Sequence, residues 1–300
     1  MTNLVMGFST NAAENSLQIF ARSLRKVYRP DECDIVIITN TFEPYFVDLG
    51  RLGVRFVPTP NNYSKLTGKL SKSLNRATLL TLRAIEPLLR RQAPEIADAY
   101  RVLIETWHHP HFVRWFAYER FLELNQQYEN VMLADVKDVV FQAPFFDASS
   151  TNEVCLCDQG LQYGKTYWDT KWYRDAFGEE ALQKILGRSP LCIGTMMGPH
   201  AAVLGIVREL RIEFGKRPFH RIEQAVFNHM LFERAFDTPY NVLPNVTGPI
   251  ITLCDDDIID KFTLVEQSIC RALDGTVAPV VHMYDRNDKF KRGIETAFVP

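Results

Sequence analysis

Apolar residues along this chain fall in short runs divided by polar turns, and their spacing switches between the strand and helix periods. Leu4 to Phe8 is an apolar run, followed by the polar turn Ser9 to Glu14. Leu17, Phe20, Ala21, Leu24, Val27 and Tyr28 then recur at helical spacing. Cys33 to Thr39 reads as a buried strand and Val54 to Val57 as a second. This strand–helix–strand rhythm predicts an α/β fold with a parallel, doubly wound sheet. Ligands of such sheets bind beyond the carboxyl ends of the strands, which makes Phe8 to Asn11 a candidate nucleotide-contacting loop.

Further along, Phe112 to Gln127 reads as an aromatic-rich helix with Arg114, Tyr118 and Phe121 on one face. Asn130 to Ala134 is a strand ending in Asp135, and Glu153 to Cys157 is a strand ending in Asp158. A Gly-containing segment, Leu191 to Gly198, precedes a helix carrying Val203, Val207, Leu210 and Phe214. Another helix is expected from about Arg221 to Ala235. Short strands at Val242–Leu243, Ile250–Leu253 and Val280–His282 complete the pattern. With no repeat, low-complexity tract or linker, the reading is one continuous domain over 1–300. Its first half, about 1–145, is expected to bind a nucleotide-bearing ligand and its second, about 146–300, to build the facing side of the site.

Residues 61 to 93 differ from the rest. Lys65, Lys69, Lys72, Arg76 and Arg83 are expected on one helical face, with Leu66, Leu70, Leu74, Ala77 and Ile85 on another. Seven basic residues stand against one acid in this window, although the whole chain carries a net charge of -2. The overall balance gives no reason to expect nucleic-acid binding. The local excess reads either as a solvated helix face or as a contact with a membrane surface or anionic polymer. Six cysteines, none in a CxxC pair, read as buried free thiols of a reducing compartment. The first residues carry no basic leader, and no apolar run nears the roughly 18 residues that span a bilayer, so a cytoplasmic location is expected.

The chemistry centres on an apolar strand that ends in the cluster Asp135-Val-Lys-Asp138. Carboxylates at the edge of a sheet, about one turn apart, can converge on one hard divalent cation. Strand ends also favour Asp for turn reasons alone. His282 closes another buried strand, with Asp285 and Arg286 behind it, and offers a third ligand and a phosphate-pairing guanidinium. Gln224 and Asn228 stand one turn apart on a helix that Glu223 and Gln224 open, where they can also serve as caps. A literal D-x-D, Asp255-Asp-Asp257, is the rival acidic site. Trp168 and Trp172 can stack on sugar rings or pack into the core. The chain lacks GxGxxG and GxxxxGK[ST], which disfavours dinucleotide binding and P-loop chemistry.

In chain order these pieces are the Phe-Ser-Thr loop, Arg114-x-x-x-Tyr118, Asp135-x-Lys-Asp138 running into Val139 to Phe145, Ile193-Gly-Thr195, Glu223-Gln224 with Asn228, and His282 to Arg286. Together they resemble GT-A glycosyltransferases with a motif opening D-x-R-D-V-x-F-Q. They are also similar in layout to the glycogenin-like and galactosyltransferase-like (family 8 type) enzymes. The resemblance implies a GT-A fold with a mixed, doubly wound sheet and a basic helical insertion at 61–93. It implies Mn²⁺ or Mg²⁺ on Asp135, Asp138 and His282, and hexosyl transfer from a nucleotide-sugar donor, UDP-linked, to a saccharide or other hydroxyl acceptor. Phe8, Ser9, Thr10, Arg114, Asp135, Gly194, Thr195 and Arg286 would contact the donor. Glu223, Gln224 and Asp158 would line the reacting centre.

The chain departs from the family pattern in three places. Lys137 stands at the second ligand position, Ile193 precedes Gly194 where Asn or Ser is usual, and Glu223 replaces the Asp before Gln224. The late histidine leans the layout toward retention of configuration. Two other classes stay open on the residues alone: a metal-dependent nucleotidyltransferase or phosphohydrolase using the same strand-end carboxylates, and a non-catalytic sugar-binding protein.

Overall fold

Leu4, Val5 and Met6 are all fully buried, a pattern that requires cover on both faces of their strand. A computed structural model, which describes residues 2–10, 13–66, 68–92, 102–149, 152–216 and 223–299, shows how that cover arises. Strand β1 (Thr2–Ser9) pairs in parallel with β2 (Cys33–Thr39) on one side and β4 (Tyr128–Ala134) on the other, and β2 pairs in parallel with β3 (Val54–Pro58). Helices α1 (Glu14–Val27) and α2 (Phe46–Arg51) provide the crossovers. Leu4, Met6, Val36 and Ile38 face one apolar core, while Val5, Ile35 and Ile37 face the other with Leu17, Phe20 and Leu24 of α1. The alternation is the strand period at work, with both faces apolar because helices cover both.

The sheet continues past β4 into β7 (Leu191–Pro199), then β6 (Val154–Asp158) and β8 (Tyr240–Leu243), giving seven strands in the order β3-β2-β1-β4-β7-β6-β8. Strand β7 runs antiparallel to both of its neighbours, so the sheet is mixed but mostly parallel. Helices α4 (Pro110–Leu124) and α7 (His200–Lys216) pack together against this half, joined by α8 (Glu223–Phe232). Residues 221 and 222, where the carboxyl-half helix was expected to begin, lie outside the described residues.

A second, three-stranded sheet holds the carboxyl-terminal ligand candidates. Strand β12 (Val280–His282) lies between β5 (Val139–Phe141) and β9 (Ile250–Thr252), antiparallel to the first and parallel to the second. The segment Val139 to Phe145 therefore has a structural job. Phe141 and Phe145 are buried, stacked 5.5 Å apart, and Phe141 meets Phe20 edge-on at 5.2 Å. Between them, the Gln142 amide donates to the carbonyls of Ile269 (3.0 Å) and Ala278 (2.7 Å) and accepts from the Ile269 N–H (2.8 Å). One side chain thus pins β5 to the hairpin of β10 (Phe262–Val265) and β11 (Ser268–Arg271) and to the approach to β12.

The basic insertion forms helix α3 (Gly68–Gln92), preceded by one 3-10 turn at Tyr63–Lys65, so Lys65 lies outside the helix that carries Lys69 and Lys72. Its expected apolar face is not buried: Leu70, Leu74, Ala77 and Ile85 are exposed and Leu66 is half-buried. The side chains of Arg76 and Arg83 lie outside the described residues. All six cysteines are free, five buried and Cys254 half-buried. Among the described residues no helix is long and apolar enough to cross a membrane.

Replacing Gln142 with Ala orphans two buried backbone groups, the Ile269 N–H and the Ala278 carbonyl, while the Ile269 carbonyl still accepts from the Ala278 N–H at 3.1 Å; each orphan costs about 1–3 kcal/mol when unmet. Allowing for partial rehydration, Gln142→Ala is expected to lower unfolding free energy by roughly 2–3 kcal/mol. Urea denaturation of the two proteins measures it, and coincident curves would show that water replaces the side chain.

Candidate metal centre

Two strand ends and the body of a third strand meet at one point. β4 delivers Asp135, β12 ends on His282, and β7 passes between them with Gly194. The Asp135 N–H donates to the Gly194 carbonyl at 2.9 Å, continuing the pairing of Ala134 with Thr195 one residue past the strand. His282 pairs with Val139, the residue after Asp138, which is how a second acid three positions beyond Asp135 reaches the same place. The Met283 N–H donates to the Asp138 carbonyl at 2.8 Å, and Met283 adopts a left-handed φ of 61° directly after His282. A non-glycine residue held there costs on the order of 1 kcal/mol and turns the chain sharply away from the histidine.

The His282 Nε2 lies 3.4 Å from Asp138 Oδ1 and 3.7 Å from Asp135 Oδ2. One ligand atom from each residue falls within 4.8 Å of the others, so the three can surround a single ion. Two observations fit that donor set to a cation. Asp138 Oδ1 and His282 Nε2 are buried with no hydrogen-bond partner, a costly arrangement unless something else engages them. Two carboxylate oxygens and one imidazole nitrogen also suit Mn²⁺, or Mg²⁺ less well. Gly194 is needed for the approach, because a Cβ there would sit 2.5 Å from His282 Cε1 and 2.8 Å from Asp135 Oδ2.

The opposite side of Asp135 is held by α4. Arg114 Nη1 donates to Asp135 Oδ1 at 2.5 Å, while its Nε and Nη2 make a bidentate pair with Glu223 at 3.1 and 2.9 Å. The Trp115 indole N–H donates to the same Glu223 carboxylate at 3.0 Å, and His111 Nδ1 approaches it at 3.4 Å. Burial alone would raise the Asp135 carboxyl, but Arg114 and His282 outweigh it and hold the group below the usual carboxylate range. Burial would likewise lower His282, yet the carboxylates of Asp138 and Asp135 beside it push the imidazole well above its ordinary value. Trp115 and His111 were not singled out in the sequence. Trp115 adjoins Arg114, and that adjacency was the available signal.

The remaining candidates are placed as follows. Gln224 is buried, accepting from the Ile193 N–H at 3.0 Å and donating to the Leu191 carbonyl at 2.8 Å, while Asn228 bonds both backbone groups of Leu191. These two amides fix β7 as it enters the site. The Gln224 amide also donates to Asp169 Oδ1 at 3.2 Å. Asp169 is buried at the start of α5 (Tyr167–Phe177) and was missed in the sequence, where nothing marks it from the exposed Trp168 beside it. Asp158 lies outside the cluster, its Oδ1 accepting from the Gly160 N–H and from the Ser189 hydroxyl in a local turn. Arg286 is exposed, with its Nε 3.9 Å from Asp285, which also faces Lys137 at 3.9 Å. Phe8 meets Tyr118 of α4 edge-on at 6.5 Å, with Ser9 buried and Thr10 half-buried behind it. Thr195 is fully buried with its hydroxyl unpartnered. In the rival acidic segment, Asp255 caps the short helix Asp256–Ile259 by accepting from the Asp257 N–H at 3.1 Å, a capping role.

No protein-family model and no curated protein matches this sequence. Solved structures do. A galactosyltransferase, LgtC, in complex with donor and acceptor sugar analogues, superposes with a TM-score of 0.51 at 11% identity, covering 100% of this chain and 97% of that one. An active-site mutant of LgtC gives a TM-score of 0.52 at 10% identity with the same coverage. At such identities the likeness is one of fold, and the fold is that of the GT-A glycosyltransferases, in a single domain.

Burial raises the Asp169 carboxyl from 3.8 to about 6, partly offset by the Gln224 and Gln159 amides. The folded state therefore keeps a proton that the unfolded chain releases, so this group's stabilising share is complete below pH 3.8 and is lost as pH rises toward 6. The span is worth on the order of 3 kcal/mol. Asp169→Asn keeps an acceptor for Gln224 and removes the ionisation. Between pH 4 and 6 its unfolding free energy should gain on that of the natural protein by that amount, and parallel pH profiles would refute the shift.

Proposed function

We propose that this chain is a metal-dependent glycosyltransferase that moves a hexosyl group from a UDP-linked donor to a hydroxyl of a saccharide acceptor, with retention of configuration. The observation that carries the reading is the meeting of Asp135, Asp138 and His282, with two of their buried atoms unpartnered, at the carboxyl edge of a GT-A sheet. LgtC, bound to donor and acceptor sugar analogues, supports the substrate class by its fold.

The ion, Mn²⁺ or Mg²⁺, would neutralise the charge that develops on the leaving diphosphate. The chain supplies the rest. Arg114 fixes one oxygen of Asp135 and leaves the other turned toward His282. Glu223 holds Arg114 in that orientation, and Gln224 fixes the backbone of Ile193 beside Gly194. Phe8, Ser9 and Thr10 at the end of β1 would hold the base, and Gly194 would keep the approach to His282 and Asp135 open, while Thr195, fully buried, backs that strand. Lys137 and Arg286 both neighbour Asp285 on the solvent side, where a diphosphate would enter.

Incubation with UDP-hexoses, Mn²⁺ and a saccharide panel tests this reading. UDP should be released together with a glycosylated acceptor, and Asp135→Asn should cut kcat/KM by more than the roughly 10–100-fold expected for an outer-shell group. Release of sugar phosphate, or of uridine monophosphate, would favour the phosphohydrolase or nucleotidyltransferase reading instead.

We also propose that α3 rests on an anionic lipid surface. Positions 70, 74, 77, 81, 85 and 88 follow one helical face, and all are exposed, with Leu70 at 74% and Leu74 at 61%. Exposed Lys65, Lys69 and Lys72 belong to a window, 61–93, with seven basic residues and one acid. An apolar stripe beside a basic face is the pattern of an interfacial helix, whereas a charged polymer would need no leucines. Vesicles of phosphatidylcholine with phosphatidylglycerol should sediment the protein, and those of phosphatidylcholine alone should not. Reversing Lys65, Lys69 and Lys72 to Glu should abolish binding. Equal retention by heparin of the natural protein and a Leu70→Gln, Leu74→Gln variant, with no vesicle binding, would replace lipid by polymer.

A further inference from the structure

His282 presents two nitrogens to two different surroundings. Nε2 faces the carboxylates of Asp135 and Asp138, while Nδ1 lies 3.3 Å from the sulfur of Cys192. Both residues are almost wholly buried, His282 at 1% and Cys192 at 2% exposure, so no water competes for Nδ1. We propose that Cys192 is the positioning residue of the metal ligand: the His282 Nδ1–H donates to the Cys192 sulfur, and this contact fixes the ring with Nε2 toward the ion. The inference rests on the metal reading above and adds a residue that the resemblance did not include.

The strand geometry supports it independently. Cys192 and Gly194 are two apart on β7 and so share a face. Both meet the same imidazole, Gly194 by leaving room at Cε1 and Cys192 by meeting Nδ1. Between them Ile193 points the other way, and its N–H is fixed by Gln224. The ring thus has one wall that clears space and one that holds it, both supplied by a strand that Gln224 and Asn228 lock in register.

The chemistry of sulfur fits the place. A metal-bound imidazole ligates through a nitrogen without a proton, so its other nitrogen must carry one and needs an acceptor. A carboxylate is the common partner, but here it would add a third buried anion beside Asp135 and Asp138. A thiol accepts weakly and remains uncharged, satisfying Nδ1–H at no cost in charge.

Mn²⁺ titration followed by calorimetry, on the natural protein and on Cys192→Ala, Cys192→Val and Cys192→Ser, tests the assignment. Ala and Val should weaken Mn²⁺ binding about 10–100-fold, Val while keeping most of the volume, and Ser should restore it to within about threefold because the hydroxyl also accepts. Binding by Ala and Val equal to the natural protein, or by Ser as weak as Ala, would overturn the assignment. The Nδ1 proton of His282 in the ion-free protein gives a second reading that needs no metal. Its NMR signal should lie downfield and exchange slowly with water in the natural and Ser proteins, where it meets an acceptor, and should lose both features in Val. If the natural protein binds no Mn²⁺ yet shows this pattern, the metal reading fails while the Cys192 contact stands. If it binds Mn²⁺ and the pattern is absent, the contact fails and the metal reading stands.

Discussion

The centre of this molecule depends on a half-buried carboxylate that stays charged. Burial disfavours the charge on Asp135, and it survives because Arg114 lies against one oxygen and His282 near the other. Arg114, itself a buried cation, is matched on two sides, by Asp135 and by both oxygens of Glu223. Glu223 in turn takes the Trp115 indole. The chain of pairings runs from α8 through α4 to the end of β4, so the positions of two helices relative to the sheet are fixed by electrostatics as well as by packing. Breaking one partner of such a pair leaves a charge with nowhere to go, which is why these residues behave as a unit.

That constraint explains why an acid at an unusual spacing serves the site. The two acids need not sit on one strand, because Asp138 belongs to a different sheet from the strand that delivers Asp135. It precedes β5, whose pairing with β12 sets Val139 against His282. Lys137, at the position the family gives to a ligand, points outward at 71% side-chain exposure, toward Asp285. The family spacing is thus one solution to convergence, and the small second sheet supplies another. Gln142 and the phenylalanines around it hold that sheet in place, so the Phe-Gln segment that resembles a catalytic hallmark here works as a structural pin.

The fold was legible to the extent that it is written locally. The period switch in residues 4–57 and the apolar strands ending in Asp135 and His282 are backbone patterns, and a strand's end is a place as well as a pattern. The residues that were not legible are those whose partners lie far along the chain. Cys192 meets His282 across 90 positions and Gln224 meets Asp169 across 55, and no periodicity encodes such a meeting. Helix α3 shows the converse. Its amphipathic spacing was clear, but whether the apolar face turns to a core or to solvent depends on tertiary placement, which spacing does not contain.

Glu223 and Gln224 show how a motif can be placed correctly and still divide its labour. They are neighbours at the start of one helix, and a helix start directs successive side chains about 100° apart. One therefore reaches α4 and balances Arg114, while the other reaches β7 and satisfies a strand edge. Both donor hydrogens of Gln224 are engaged, one by the Leu191 carbonyl and one by Asp169, so to donate to a sugar it must release one of them, while its oxygen stays on the Ile193 N–H beside Gly194. Any role it has at the reacting centre is coupled to the position of β7, and through Gly194 and Cys192 to the orientation of His282. The proposed donor pocket and the candidate ion site are in that sense one mechanical element, built on a single antiparallel strand inserted into a mostly parallel sheet.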